Sequence, residues 1–137
     1  MTARPVRGKV RWEALDPFEL PETLGTEEVV WEAVDAIASG PVVRGLLEAG
    51  ADTTLACDLL AVDEAYPVAV ADSGLRVAAH QAWHHGQVQI VAVEDRVTLA
   101  VPGTRFAADD VLEVVARLAR AVGATPTSYA VRLRVGG

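Results

Sequence analysis

The sequence predicts an α+β fold, a mainly antiparallel sheet with helices packed on one face. Three observations carry that expectation. Segments such as GKVRWEAL and SYAVRLRV alternate apolar and polar residues, the period of a half-buried strand. FAADDVLEVVARLARAVG repeats its apolar residues at helical spacing. The chain has 137 residues, 51% hydrophobic and 23% charged, which suits a single domain over 1–137 with a buried core. Residues 1–8 and 136–137 are expected as flexible ends.

The first expected strand is GKVRWEAL, with Val10, Trp12 and Ala14 on one side and Lys9, Arg11 and Glu13 on the other. Pro17, Pro21 and Gly25 break regular structure after it. Thr26 is a candidate N-cap. Glu27 and Glu28 follow in a first turn, and Val29, Val30, Ala33, Val34 and Ile37 repeat at helical spacing, which predicts a helix ending at Gly40. Pro41 suits the first turn of a second, short helix carrying Val42, Val43, Leu46 and Leu47, with Gly50 as its stop.

The stretch 53–72 fits two strands around DEAYP or a helix followed by a strand. The strand reading is preferred because Tyr66-Pro67-Val68 favours extended backbone. Leu75, Ala78, Ala79, Ala82 and Trp83 have helical spacing, between a possible cap at Ser73 and a stop at Gly86; a strand over 75–85 is the alternative. Two strands then flank a tight turn at Glu94-Asp95. In the clearest helix, Asp109 and Asp110 lie in the first turn, Arg117 and Arg120 come late, and Gly123 ends it. The last strand buries Tyr129, Val131, Leu133 and Val135 and leaves Arg132 and Arg134 outside.

Charge and composition narrow the function. The net charge of -7 argues against a nucleic-acid partner, which would need a basic stripe to displace counterions. No apolar run reaches the ~20 residues of a membrane span, and the basic start MTARPVRGKVRWE has no apolar core behind it, so neither membrane insertion nor a signal peptide is expected. With Cys57 as the single cysteine, no intramolecular disulfide exists, and a cytoplasmic location is expected.

Three groups of residues invite a chemical reading. His80, His84 and His85 lie together, and on a helix His80 and His84 stand one turn apart, the spacing of a shared metal ion. On a strand they would be ~13 Å apart. Gln81 follows His80, so there is no HExxH, and solvated histidines are the blander reading. Cys57 in TTLACDLLA has only Asp58 as a polar neighbour and reads as an inert buried thiol. Asp58, Asp63 and Glu64 lack the spacing of a calcium loop and read as solvated turn and edge residues. Phosphate-binding glycine loops and a GxSxG elbow are missing, and no cofactor is implied.

Resemblances add directions. HQAWHHGQV looks like the last helix of DinB-type metal-dependent bundles, which are all-helical, whereas strands are expected to follow here. YAVRLRVGG, ending on Gly136 and Gly137, resembles the tail of ubiquitin-like modifiers and sulfur carriers, and QVQIVAVEDRVTLAVPG plus a helix resembles the opening of their β-grasp fold. Only ATPTS separates Gly123 from the last strand, which leaves no room for the intervening strands of that fold. WHHGQVQIVAVEDRVTLAVPG, followed by a helix that starts with acids, resembles the C-terminal half of actinobacterial ESX secretion-associated chaperones, which implies a protein that holds another protein.

The expected function is a non-enzymatic protein-interaction module: an accessory, chaperone-like or structural subunit with a protein partner or self-association. The expected interaction residues are Tyr129, Arg132 and Arg134 on an exposed sheet edge and Trp83 as a large anchor. The alternatives are a small metal- or ligand-binding enzyme domain using His80 and His84, and a carrier or modifier acting through Gly136 and Gly137.

Overall fold

A computed structural model describes residues 10–37, 40–65 and 68–134. The expectations for residues 1–8, Lys9, Tyr66, Pro67, Val135, Gly136 and Gly137 lie outside the described residues. In chain order the elements are β1 (Glu13–Ala14), α1 (Thr23–Thr26), β2 (Val29–Ala36), β3 (Val42–Val43), β4 (Gly45–Ala49) and β5 (Thr53–Ala61). They continue with β6 (Glu64–Ala65), β7 (Val68–Ala69), α2 (Ser73–His84), β8 (Gln89–Val93), β9 (Arg96–Val101), α3 (Ala108–Ala121) and β10 (Tyr129–Arg134).

The main sheet is mixed and mostly antiparallel, in the order β1-β8-β9-β5-β4-β2-β10, with β3 paired to β5. β5 runs parallel to β9 and β10 runs parallel to β2; the other pairs are antiparallel. β6 and β7 form a separate two-stranded ribbon. The α+β class follows from this mixture of one sheet and a few helices.

The two long helices lie on opposite faces of the sheet, which corrects the expectation of helices on one face. Successive strand residues point to opposite faces. Leu59, Ile90 and Leu99 belong to the core cluster that holds Val111, Val114, Val115 and Leu118 of α3. Their neighbours Leu60, Val91 and Ala100 pack in a second cluster with Leu75 and Ala79 of α2. Parallel β5 and β9 are buried on both sides at this point, so their sequences read as continuous apolar runs there.

Two expected helices are strands. Over 26–40 the apolar spacing fits a helix, yet Val29, Trp31 and Ala33 also alternate, and all three are buried in β2. Trp31, which the helical stripe omits, decides between the two periods. Its ring is fully buried and its Nε1 donates to the Cys57 carbonyl at 2.9 Å. Thr26 caps nothing; it ends the single turn α1. Over 41–50 the chain forms β3 and β4. Gly45, a poor helix residue, sits where a Cβ would stand 2.3 Å from the Trp31 ring. Gly50 (φ +62) turns the chain from β4 into β5 instead of ending a helix.

Most of the remaining elements match their sequence patterns; the expected first strand GKVRWEAL does not, and its Ala14 is exposed. Residues 53–61 are a strand. Glu94 (φ 53) and Asp95 (φ 63) make the tight turn between β8 and β9, and both central residues have the positive φ of a primed hairpin turn. α2 is capped one residue earlier than expected: Asp72, not Ser73, accepts the Leu75 N–H at 2.8 Å. Asp72 also accepts a hydrogen bond from Trp12 Nε1–H at 3.0 Å; Trp12 lies off the strand line and β1 is only Glu13–Ala14. α3 has no side-chain N-cap, and Asp109 and Asp110 offset its dipole instead. Each of its buried valines and Leu118 contributes about 1.5–3 kcal/mol by leaving water.

Candidate functional site

Two regions gather polar side chains in arrangements beyond simple solvation. The first is the half of the α2-side sheet face that α2 does not cover. There β10, β2, β4 and β5 lie side by side, and the register places Arg132 beside Glu32, Glu32 beside Leu46, and Leu46 beside Ala56. The next row is Ala130, Val30, Glu48 and Thr54. Val30, Leu46 and Ala56 are only half-buried, so apolar surface shows between the charges.

The alternation in SYAVRLRV sets the two sides of β10. Tyr129, Val131 and Leu133 are half-buried against the α3-side core, and Ala130, Arg132 and Arg134 are exposed. Arg134 Nη1 donates to the Val34 carbonyl at 2.9 Å, which lays its side chain across β2. β10 ends the strand order, and among the described residues nothing pairs with its outer side.

The side chains of Tyr129 and Trp83, also expected at the interaction surface, do not join Arg132 and Arg134 on this face. Tyr129 OH donates to the Leu24 carbonyl at 2.7 Å and ties β10 to α1; burial, with a smaller effect of Cys57, pushes its phenol up. Trp83 is half-buried at the end of α2. The Arg117 guanidinium stacks 3.3 Å from the centre of its ring, and Arg117 Nη1 donates to its carbonyl at 2.8 Å. Of the expected set, the fold brings only Arg132 and Arg134 together on one exposed face.

An ion pair braces the open sheet face. Asp58 is 7% exposed and accepts Arg96 Nε at 2.7 Å, Arg96 Nη2 at 2.8 Å and the Gly45 N–H at 3.2 Å. The bidentate hydrogen bond to Asp58 raises the pKa of Arg96. Asp58 is therefore a buried structural anchor, not the solvated residue expected from its sequence position.

The second region is the exposed side of α2. His80 Nε2 lies 2.9 Å from Asp63 Oδ1, and the other Asp63 oxygen accepts the Gly103 N–H at 2.9 Å. Arg76 Nε is 4.0 Å from Asp63. Burial acts to raise the Asp63 carboxyl, but the His80 hydrogen bond, the Gly103 N–H and the charges of His80 and Arg76 outweigh it and lower the pKa. His84 meets the His85 ring edge-on, with centroids 5.4 Å apart, rather than His80. Among the described residues no group of three or more His, Cys, Asp or Glu is placed to hold a metal ion.

Cys57 is fully buried, and burial pushes its thiol up, so it stays protonated and inert as a nucleophile. Gly136 and Gly137 lie outside the described residues. No helix among the described residues is long and apolar enough to cross a membrane.

Sequence reasoning passed over three features. The Asp58–Arg96 and Asp63–His80 pairs join residues 38 and 17 positions apart, and only the tertiary fold brings them together. Phe18 is 96% exposed on a turn whose capping box, Asp16-x-x-Glu19, is legible in the sequence. Comparison of the chain with protein-family models, curated proteins and solved structures gives no match.

Proposed function

We propose that this chain is a non-enzymatic protein-interaction module, an accessory, chaperone-like or structural subunit that receives a partner along β10 and the open sheet face beside it. The observation that carries the reading is the outer side of β10, unpaired among the described residues, with Arg132 and Arg134 on one exposed face. Unpaired backbone groups on an edge strand are a template for an added strand.

The arginines narrow the partner. Opposite charges on facing strands stabilise a pair and like charges oppose it. An added strand with acidic residues at every second position meets Arg132 and Arg134 favourably. Pairing β10 with the β10 of a second copy puts four arginines on one face of the ladder and is disfavoured. The half-buried Val30, Leu46 and Ala56 offer apolar contact to whatever follows the added strand across the face.

Native mass spectrometry on the chain isolated from its own host tests the reading. The unaltered chain carries a stoichiometric protein partner, and the Arg132→Glu/Arg134→Glu variant, still folded, loses it. A chain that carries no partner, or a variant that keeps it at the same stoichiometry, contradicts the proposal.

A further inference from the structure

A second surface lies away from β10, around Phe18. This ring is 96% exposed, the most exposed large hydrophobic side chain among the described residues. It stands on a stiff turn. The Asp16 side chain accepts the Phe18 N–H at 3.0 Å, the Glu19 side chain accepts the Asp16 N–H at 3.4 Å, and the Leu20 N–H reaches the Pro17 carbonyl at 3.1 Å. Leu20 and Leu24 are buried just behind it. Gly25 approaches the end of α3 so closely that a Cβ would lie 2.8 Å from the Val122 carbonyl. A rigid support for a solvated aromatic ring is the form of a binding anchor, because little conformational freedom is lost when it docks.

Beside the turn is a cleft of about 480 Å³, to which Pro17 itself contributes. Leu15, Val88 and Ile90 give it an apolar floor, and Arg117 and Arg120 stand on its rim. Glu113 pairs with Arg117; Arg120 has no ion pair among the described residues. The turn has the opposite charge: Asp16, Glu19 and Glu22 are all exposed around Phe18. Acidic knob and basic-rimmed cleft are thus complementary and adjacent on one side of the molecule. A two-fold axis brings a patch onto itself, so each knob can enter the cleft of the other copy.

We propose that Phe18 docks into the Leu15–Ile90–Arg120 cleft of a second copy, and reciprocally, to form a two-fold dimer. The charge pattern selects this surface for self-association. Two chains of net charge -7 repel, and here acids of one copy meet arginines of the other. The cleft is built on the β1–β8 end of the sheet, the opposite end of the strand order from β10, so the dimer is tested separately from the proposed partner strand.

Sedimentation velocity and native mass spectrometry on the full chain test it. The unaltered chain is a dimer. Phe18→Asp raises the dimer dissociation constant by about thirtyfold or more, and its melt matches that of the unaltered chain when both are diluted to monomer, because Phe18 is solvated in the single chain. Glu19→Arg/Glu22→Arg and Arg120→Glu each weaken self-association. Mixed together, these two charge-altered chains form a heterodimer of distinct mass, since both knob–cleft contacts then join opposite charges. A monomeric unaltered chain, a dimer that survives Phe18→Asp, or charge-altered chains that fail to pair would overturn the proposal; the first and third of these results would leave the cleft to a foreign acidic-aromatic segment.

Discussion

The Trp31 ring occupies the space in which a Cβ on Gly45 would stand, 2.3 Å from the indole. Both residues belong to antiparallel strands, and Trp31 Nε1 completes the contact by donating to the Cys57 carbonyl of β5. One side chain thus spans β2, β4 and β5 beneath α3. Gly45→Ala forces the ring out of this position. The expected cost is about 1–3 kcal/mol, the usual range for overpacking, measured by denaturant unfolding. A variant as stable as the unaltered chain would contradict the packing described here.

Asp58 carries the brace of the open face. Asp58→Ala leaves Arg96 and the Gly45 N–H without their acceptor at a site that is 7% exposed. The expected loss is about 2–3 kcal/mol. Adding Arg96→Met recovers part of it, because the stranded cation is gone. If the double variant is less stable than the single one by the full cost of a second independent loss, Arg96 and Asp58 do not act as a pair.

Asp63 makes stability depend on acid. Its folded pKa is lower than its ordinary value of 3.8. The ionised carboxylate therefore contributes stability that is fully present above 3.8 and is lost as the pH falls through the folded value. Asp63→Asn is accordingly less stable than the unaltered chain above pH 3.8, and the gap closes as the pH falls through the lowered folded pKa. The comparison needs unfolding curves of both proteins across that range. A gap that stays constant on acidification assigns the loss to something other than the ionised carboxylate.

The sequence made some parts of this molecule legible and hid others, for physical reasons. The β8–β9 hairpin, α3 and β10 each have one period that fits and punctuation that agrees with it: Glu94-Asp95 for the turn, Gly123 (φ 82) for the helix stop, alternate arginines for the last strand. β2 satisfies two periods at once, and only the burial of Trp31 between β4, β5 and α3 decides for the strand. Gly45 in a helical reading is a defect, and in the folded chain it is the room that Trp31 needs. The placement of α2 and α3 on opposite faces is a property of the parallel pairings, which no local pattern encodes. The exposure of Arg132 and Arg134 was legible from alternation. The contacts of Tyr129 and Trp83 were not, because their partners Leu24 and Arg117 come from distant segments.

The most direct measurement of the central claim is amide hydrogen exchange over Tyr129–Arg134, comparing the chain alone with the chain in the complex isolated from its host. Pairing of an added strand slows exchange within β10 and leaves α2 unchanged. Exchange in β10 that is the same in both states, with slowing confined to another surface, would show that the partner binds elsewhere and that the arginines of this edge serve only to keep it solvated.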